Sequence, residues 1–148
     1  MPTPSFSVRL CQWDEARAEA RRIRELVFVR EQGVPLTLEM DDQDAHCDHA
    51  LALAEDGRAV GTGRLLPDGH IGRMAVLKEW RTKGVGALLL QALIEQARKR
   101  GHARVCLNAQ AYAAGFYRRY GFEVSGSEFM EAGIPHVAMQ RDLATDPA

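Results

Sequence analysis

Residues 71–101 constrain this chain more than any other stretch. They read Ile71-Gly-Arg-Met-Ala-Val76, then Arg81-Thr-Lys-Gly-Val-Gly86, then an Ala/Leu-rich run closing on Arg98-Lys-Arg-Gly101. The apolar run between Gly69 and Trp80 predicts a strand, whereas Val85, Leu88, Leu89, Ala92 and Leu93 fall at helical spacing. A basic last turn and Gly101 end that helix, which spans roughly 25 Å. A strand therefore runs through a glycine-bearing loop into an amphipathic helix. Helix starts leave backbone N–H groups without partners and carry positive partial charge, so an anion can sit there if the backbone allows it close. Gly84 and Gly86 allow that approach, with Arg81 and Lys83 beside them.

Two familiar phosphate motifs do not fit. A Walker loop needs Gly-Lys-Ser/Thr after its glycines, and here Lys83 precedes Gly84 and Val85 follows. A dinucleotide fingerprint needs a third small residue in register and an acid about twenty positions on. Positions 104–110 hold no acid.

The remaining chain yields the order β-α-βββ-α-β-α-ββ. Phe6–Gln12 alternates as a half-buried strand, with Asp14 as a helix cap. Ala16, Ala20, Ile23 and Val27 share one face of a helix over Ala16–Arg30. The acidic stretch to Asp48 reads as a loop. His49–Ala54 and Ala59–Leu66 form a hairpin around Glu55-Asp-Gly-Arg58, and Pro67-Asp-Gly69 turns into Ile71–Val76. After the central helix come a strand at Ala103–Leu107, a short helix at Tyr112–Tyr120, and strands at Phe122–Ser125 and His136–Arg141. A meander followed by a crossover implies a mixed sheet with helices on both faces. Residues 1–143 read as a single domain and 144–148 as a loose tail.

Composition excludes several classes. The 148 residues are 46% hydrophobic and 26% charged, with a net charge of −1, which gives no general attraction to nucleic acid or anionic lipid. No stretch reaches membrane-spanning length and Met-Pro-Thr-Pro-Ser is no signal peptide, so the expected location is the cytoplasm. Three widely spaced cysteines, Cys11, Cys47 and Cys106, do not make a disulfide framework.

A second block lies downstream of the glycine loop: Gln110-x-x-Ala113-x-x-Phe116-Tyr117-x-x-x-Gly121-Phe122. Together with Arg81-x-x-Gly84-x-Gly86, in this order, it resembles the GNAT (GCN5-related) N-acetyltransferases. That family's acyl-CoA pyrophosphate signature is similar to the first block. Its Asn-x-x-Ala-x-x-Phe-Tyr-x-x-x-Gly-Phe is similar to the second. Phe28-Val-Arg-Glu-Gln-Gly-Val-Pro35, with Glu39, Asp41 and Asp44 after it, is similar to the small bacterial ElaA-like branch.

The resemblance implies an α/β fold with a central, mostly antiparallel mixed sheet of six to seven strands and about four helices. It also implies acetyl-CoA as co-substrate, lying between splayed fourth and fifth strands. Met74, Ala75 and Val76 would offer backbone groups to the pantetheine arm, and an N–H near Met74 would face the thioester oxygen. Arg81, Thr82, Lys83, Gly84, Val85, Gly86 and Ala87 would hold the pyrophosphate. Either Asn108 or Gln110 would supply the amide, and Phe116 and Tyr117 would line the cleft. Tyr117 is the expected general acid, because a phenol near 10 can protonate a departing thiolate near 8.5. Arg118 and Arg119 are within reach of the 3′-phosphate.

The base is less determined. Glu31, Glu39, Asp41, Asp44, His49 and His136 are candidates, and His136 or Glu31 is carried forward. Asp41–His49 has ligand-type side chains but neither zinc nor EF-hand spacing, so no metal is expected there. As a solvated acidic loop it would attract a cationic acceptor. The expected activity is transfer of an acetyl group from acetyl-CoA to a primary amine by direct attack in a ternary complex. The alternative is a non-catalytic acyl-CoA-binding or regulatory module. The acceptor is a small molecule or a peptide, and a homodimer is left open.

Overall fold

The computed structural model describes residues 5–36 and 41–143. Glu39 and the tail 144–148 lie outside the described residues. Eight strands form two sheets. In the first, β1 (Phe6–Cys11), β2 (Asp48–Ala54), β3 (Ala59–Leu65) and β4 (Ile71–Val76) run side by side, each pair antiparallel. In the second, β5 (Arg104–Gln110) pairs with β8 (Ile134–Asp142). On its other edge β8 carries β6 (Glu123–Val124) and β7 (Phe129–Glu131).

The fold is the α/β class the sequence implies, but the single sheet is divided. Between β4 and β5 the only described pairing is an isolated parallel bridge, His70 to Cys106. Beyond that bridge the two strands part.

Every residue of β3 is buried, because helices cover both faces of its sheet. On one side α1 (Trp13–Arg24) presents Ala16, Ala20 and Ile23, all fully buried. On the other, α2 (Val85–Lys99) presents Val85, Leu89 and Leu93. Close helix approach depends on two glycines. A Cβ on Gly61 would lie 3.0 Å from both Leu89 Cδ1 and Val85 Cγ1, and one on Gly63 only 2.9 Å from Leu93 Cδ1.

Two local predictions need correction. The first helix is not one α-helix to Arg30: α1 ends at Arg24 and the chain continues as a π-helix over Glu25–Glu31. Apolar spacing cannot reveal the wider turn, which inserts a residue per turn and is common at functional sites. Asp14 is not the cap either. Gln12 holds that position, and its side-chain amide donates to Asp48 Oδ1 at 2.9 Å instead. The strand β7 is absent from the sequence-based order, being three residues long.

Candidate active site

The gap between β4 and β5 opens into a cavity of about 870 Å³. Its walls come from both strands, from the π-helix (Val27, Phe28, Gln32) and from the β7–β8 hairpin (Glu131, Ile134, His136). A bulge shapes the β4 wall. Gly63 of β3 faces two residues of β4, Arg73 and Met74, because pairing jumps from Thr62–Ala75 to Arg64–Gly72. Such a bulge takes backbone groups out of the ladder and re-aims side chains. Arg73 is left-handed here, at φ 49°. Met74, Ala75 and Val76 all line the cavity.

At the end of β4 a short turn leads to Gly84, which caps α2 in the left-handed conformation, φ 86°. That conformation strains any residue with a Cβ. Thr82, Lys83 and Gly84 are exposed, and the first-turn N–H groups of α2 begin here. A Cβ built on Gly86 would meet Phe116 Cζ at 3.8 Å, so the aromatic cluster sits over the glycine loop. Arg81 is engaged with the protein itself. Its Nε donates to Val76 O at 3.0 Å and its Nη2 to Glu31 Oε1 at 2.8 Å. It therefore fastens the loop to β4 and to the end of the π-helix. Arg81 reaches the cavity wall, whereas Glu31 does not line it.

Tyr117 is in α3 (Ala114–Arg118), with its ring edge-on to Phe116 at 5.1 Å and to Phe122 at 6.0 Å. It lines the cavity from the β5 side. Burial pushes its phenol up to about 12, with Tyr112 adding to the effect. Asn108 and Gln110 both line the cavity as well. Gln110 Nε2 donates to Gln32 Oε1 at 3.0 Å, bridging β5 to the residue after the π-helix.

The sequence candidates for the base separate. His49 is 1% exposed, its Nε2–H donates to Asp44 O at 2.8 Å, and its ring lies against Trp13. Burial holds its pKa below the ordinary value, and the ring is packed in the core. His136 is 6% exposed and lines the cavity, in register with Gln110.

The acidic stretch is not the solvated loop the sequence suggests. Asp44, Arg24 and Arg64 are all buried, and Asp44 Oδ1 takes Arg24 Nη1 and Arg64 Nη1, each at 2.9 Å. Arg64 also grips Asp41 with both Nη atoms, at 2.8 and 2.7 Å, and Arg73 reaches the same carboxylate at 3.3 Å. The hydrogen bonds of Arg64 hold Asp41 down to about 2. Burial opposes ionisation of Asp44, but Arg24 and Arg64 outweigh it and lower its pKa. These carboxylates are committed to arginines, so a general attraction for cationic acceptors does not follow from them. Opposite charges 20 to 40 positions apart in sequence carry no spacing signal, which is why the network is illegible there.

Among the described residues no group of three or more His, Cys, Asp or Glu is placed to hold a metal. No described helix is long and apolar enough to cross a membrane.

Residues 27–143 match the family model described as Acetyltransferase (GNAT) domain. The chain belongs to the GNAT acetyltransferases. An uncharacterized N-acetyltransferase of Bacillus subtilis, YjcF, is 38% identical over 133 residues, covering 87% of this chain and 94% of the relative. Among solved structures, Escherichia coli ElaA superposes with a TM-score of 0.84 at 26% identity, covering 93% of this chain and all of ElaA. An acyl-CoA N-acyltransferase from Pseudomonas aeruginosa gives 0.83 at 29% identity, covering 93% and 99%. Membership in this GNAT family makes the protein a transferase of the acyl-CoA-using kind. Arg64, Arg73 and Glu131 line the cavity but escape the motif reading, whereas Phe28 and Gln32 line it from within the segment similar to the ElaA-like branch.

Proposed function

We propose that this GNAT protein transfers an acetyl group from acetyl-CoA to a primary amine by direct attack within a ternary complex. The observation that carries the reading is the joint placement of three features around one cavity. These are a parted β4–β5 gap, a glycine-capped helix start at its β4 end, and Tyr117 on the opposite wall.

In this reading the pantetheine arm takes the place of the missing β4–β5 ladder, using backbone groups of Met74, Ala75 and Val76. The N–H groups of Val85, Gly86 and Ala87 receive the pyrophosphate, with Thr82, Lys83 and Gly84 forming the approach and Arg81 fixing the loop. Asn108 and Gln110 line the arm's far side, and Phe116 packs over the glycines. Bulge amides near Met74 stabilise the developing oxyanion, an effect worth a few kcal/mol per donor. Tyr117 protonates the departing sulfur. With the phenol at about 12 and a thiol near 8.5, proton transfer to a fully released thiolate is uphill by roughly 5 kcal/mol, and the still-bonded sulfur is less basic again. Donation therefore accompanies cleavage, and the donor is always loaded at neutral pH.

His136 serves as base in preference to Glu31, since it faces the cavity while Glu31 is paired to Arg81 outside it. The balance is an ammonium and acetyl-CoA giving an N-acetyl amide, free CoA thiol and one proton. The protein is placed in the cytoplasm, where acetyl-CoA is made available to it.

Calorimetry with acetyl-CoA, followed by thiol release with a panel of primary amines, tests this. Binding and amine-dependent thiol release support it. Binding without release for any amine favours a non-catalytic acyl-CoA-binding module, and absence of binding defeats both.

A further inference from the structure

Glu131 is the single carboxylate among the described residues of the cavity wall. It owes its position to a hairpin in which Phe129 pairs with His136, Met130 with Pro135 and Glu131 with Ile134. Between them Ala132 and Gly133 both have positive φ, 52° and 77°, which is the two-residue turn that matches strand twist. Side chains alternate along strands, so Phe129, Glu131, Ile134 and His136 share one face. On that face the Phe129 ring stacks on His136, with centroids 5.9 Å apart. Glu131 Oε2 lies 3.4 Å from His136 Nε2.

The other ring nitrogen fixes where the protons are. His136 Nδ1 lies 2.7 Å from Ile134 O. A carbonyl oxygen only accepts, so Nδ1 carries the hydrogen and Nε2 of the neutral ring carries a lone pair. When the ring is neutral, a lone pair on Nε2 and a carboxylate face each other across 3.4 Å. Two acceptors in that position are satisfied when a proton, or a donor that brings one, comes between them. Both groups line the cavity in which the reading above places the amine.

We propose that Glu131 and His136 form a proton-accepting dyad: Glu131 receives the acceptor's ammonium and passes its proton to Nε2 of His136. The inference rests on the acetyl-transfer reading and names the groups that prepare the nucleophile. An N–H bond of the ammonium breaks as an O–H bond forms on Glu131, and that proton moves to Nε2. The freed nitrogen lone pair then attacks the thioester carbon. The sulfur's proton comes from Tyr117, the second proton shed by the attacking nitrogen as the amide forms restores the Tyr117 phenol, and the proton held by the dyad leaves to solvent at the end of the turnover.

The test compares the full-length protein with Glu131→Gln and Glu131→Asp, both at an exposed position. The probes are primary amines spanning polyamines, arylethylamines, amino acids and lysine peptides, with acetyl-CoA saturating. Glu131→Gln is expected to lose roughly 10- to 100-fold in kcat/KM for the amine. Its acetyl-CoA affinity should be unchanged by calorimetry, and Glu131→Asp should recover part of the loss. A Glu131→Gln enzyme within about twofold of wild type in kcat/KM overturns the dyad. Long-range proton–nitrogen NMR gives a readout that needs no acceptor. It should find the His136 proton on Nδ1, and a ring protonated on Nε2 alone overturns the proposal. Failure of the parent reading looks different, since the wild-type protein then gives no heat with acetyl-CoA.

Discussion

Replacing Asp48 by asparagine tests how the central helix is held to the first sheet. Asp48 starts β2 and is 8% exposed. Its carboxylate accepts from Arg100 Nε and Nη2 at 2.9 and 2.8 Å, from Gln96 Nε2 at 3.2 Å and from Gln12 Nε2 at 2.9 Å. One side chain thus ties the last turn of α2 and the start of α1 to β2. The Arg100 hydrogen bond is the largest cause that lowers its pKa from 3.8 to about 2, against the opposing effect of burial. A depressed folded-state value means stability that is present above 3.8 and is lost as pH falls towards 2. The difference, 3.8 − 2, is about 1.8, and 1.36 kcal/mol per pH unit gives about 2.4 kcal/mol. The Arg100 side chain is 54% exposed, so screening brings the expectation to about 1–2 kcal/mol. Urea unfolding of wild type and Asp48→Asn should show that gap near pH 7, or about 2–8 °C in Tm. The gap should shrink as pH drops below about 4, be mostly gone at pH 2 and close below it, where the wild-type carboxylate is neutral too. A gap that stays constant across that range would mean that side-chain shape, and not charge, holds the helix. No gap at neutral pH would refute the reasoning outright.

Four further outcomes are expected. Tyr117→Phe should lower kcat roughly 10²- to 10⁴-fold with acetyl-CoA saturating and leave acetyl-CoA affinity intact. Since an acid fails as pH rises through its pKa and this phenol sits at about 12, the wild-type profile should show no alkaline limb from Tyr117 below about pH 11. Gly84→Ala meets nothing within 4 Å but keeps φ 86°, a strain of about 1–2 kcal/mol. Because the loop is exposed it relaxes, and acetyl-CoA should bind roughly 5- to 30-fold more weakly; unchanged affinity would remove the glycine loop from the binding site. Gly63→Ala places a Cβ 2.9 Å from Leu93 Cδ1 and 3.1 Å from Met74 Cγ. Urea unfolding should register a loss of about 1–3 kcal/mol, and wild-type stability would mean that the β3–α2 contact has slack.

Much of the fold was legible because it is local. Ile71–Val76 is a strand from end to end as predicted, and the central helix begins one residue after Gly84 and ends at Lys99, two residues before Gly101. Both follow from apolar period and from glycine and proline placement. What escaped was set by neighbours. The π-helix at Glu25–Glu31 keeps an apolar pattern that a straight α-helix would also show. The commitment of Asp41 and Asp44 to Arg24, Arg64 and Arg73 depends on side chains distant along the chain.

The chain order therefore determined the glycine loop, the helix after it and the aromatic block that marks the family, since each is a short run whose spacing is its own signal. Tertiary structure alone decided that β4 and β5 part, that Arg81 fastens the loop to Glu31, and that the hairpin carrying Glu131 and His136 lines one cavity with β4. Each of these joins groups that lie far apart along the chain, and no periodicity in a linear sequence encodes that distance.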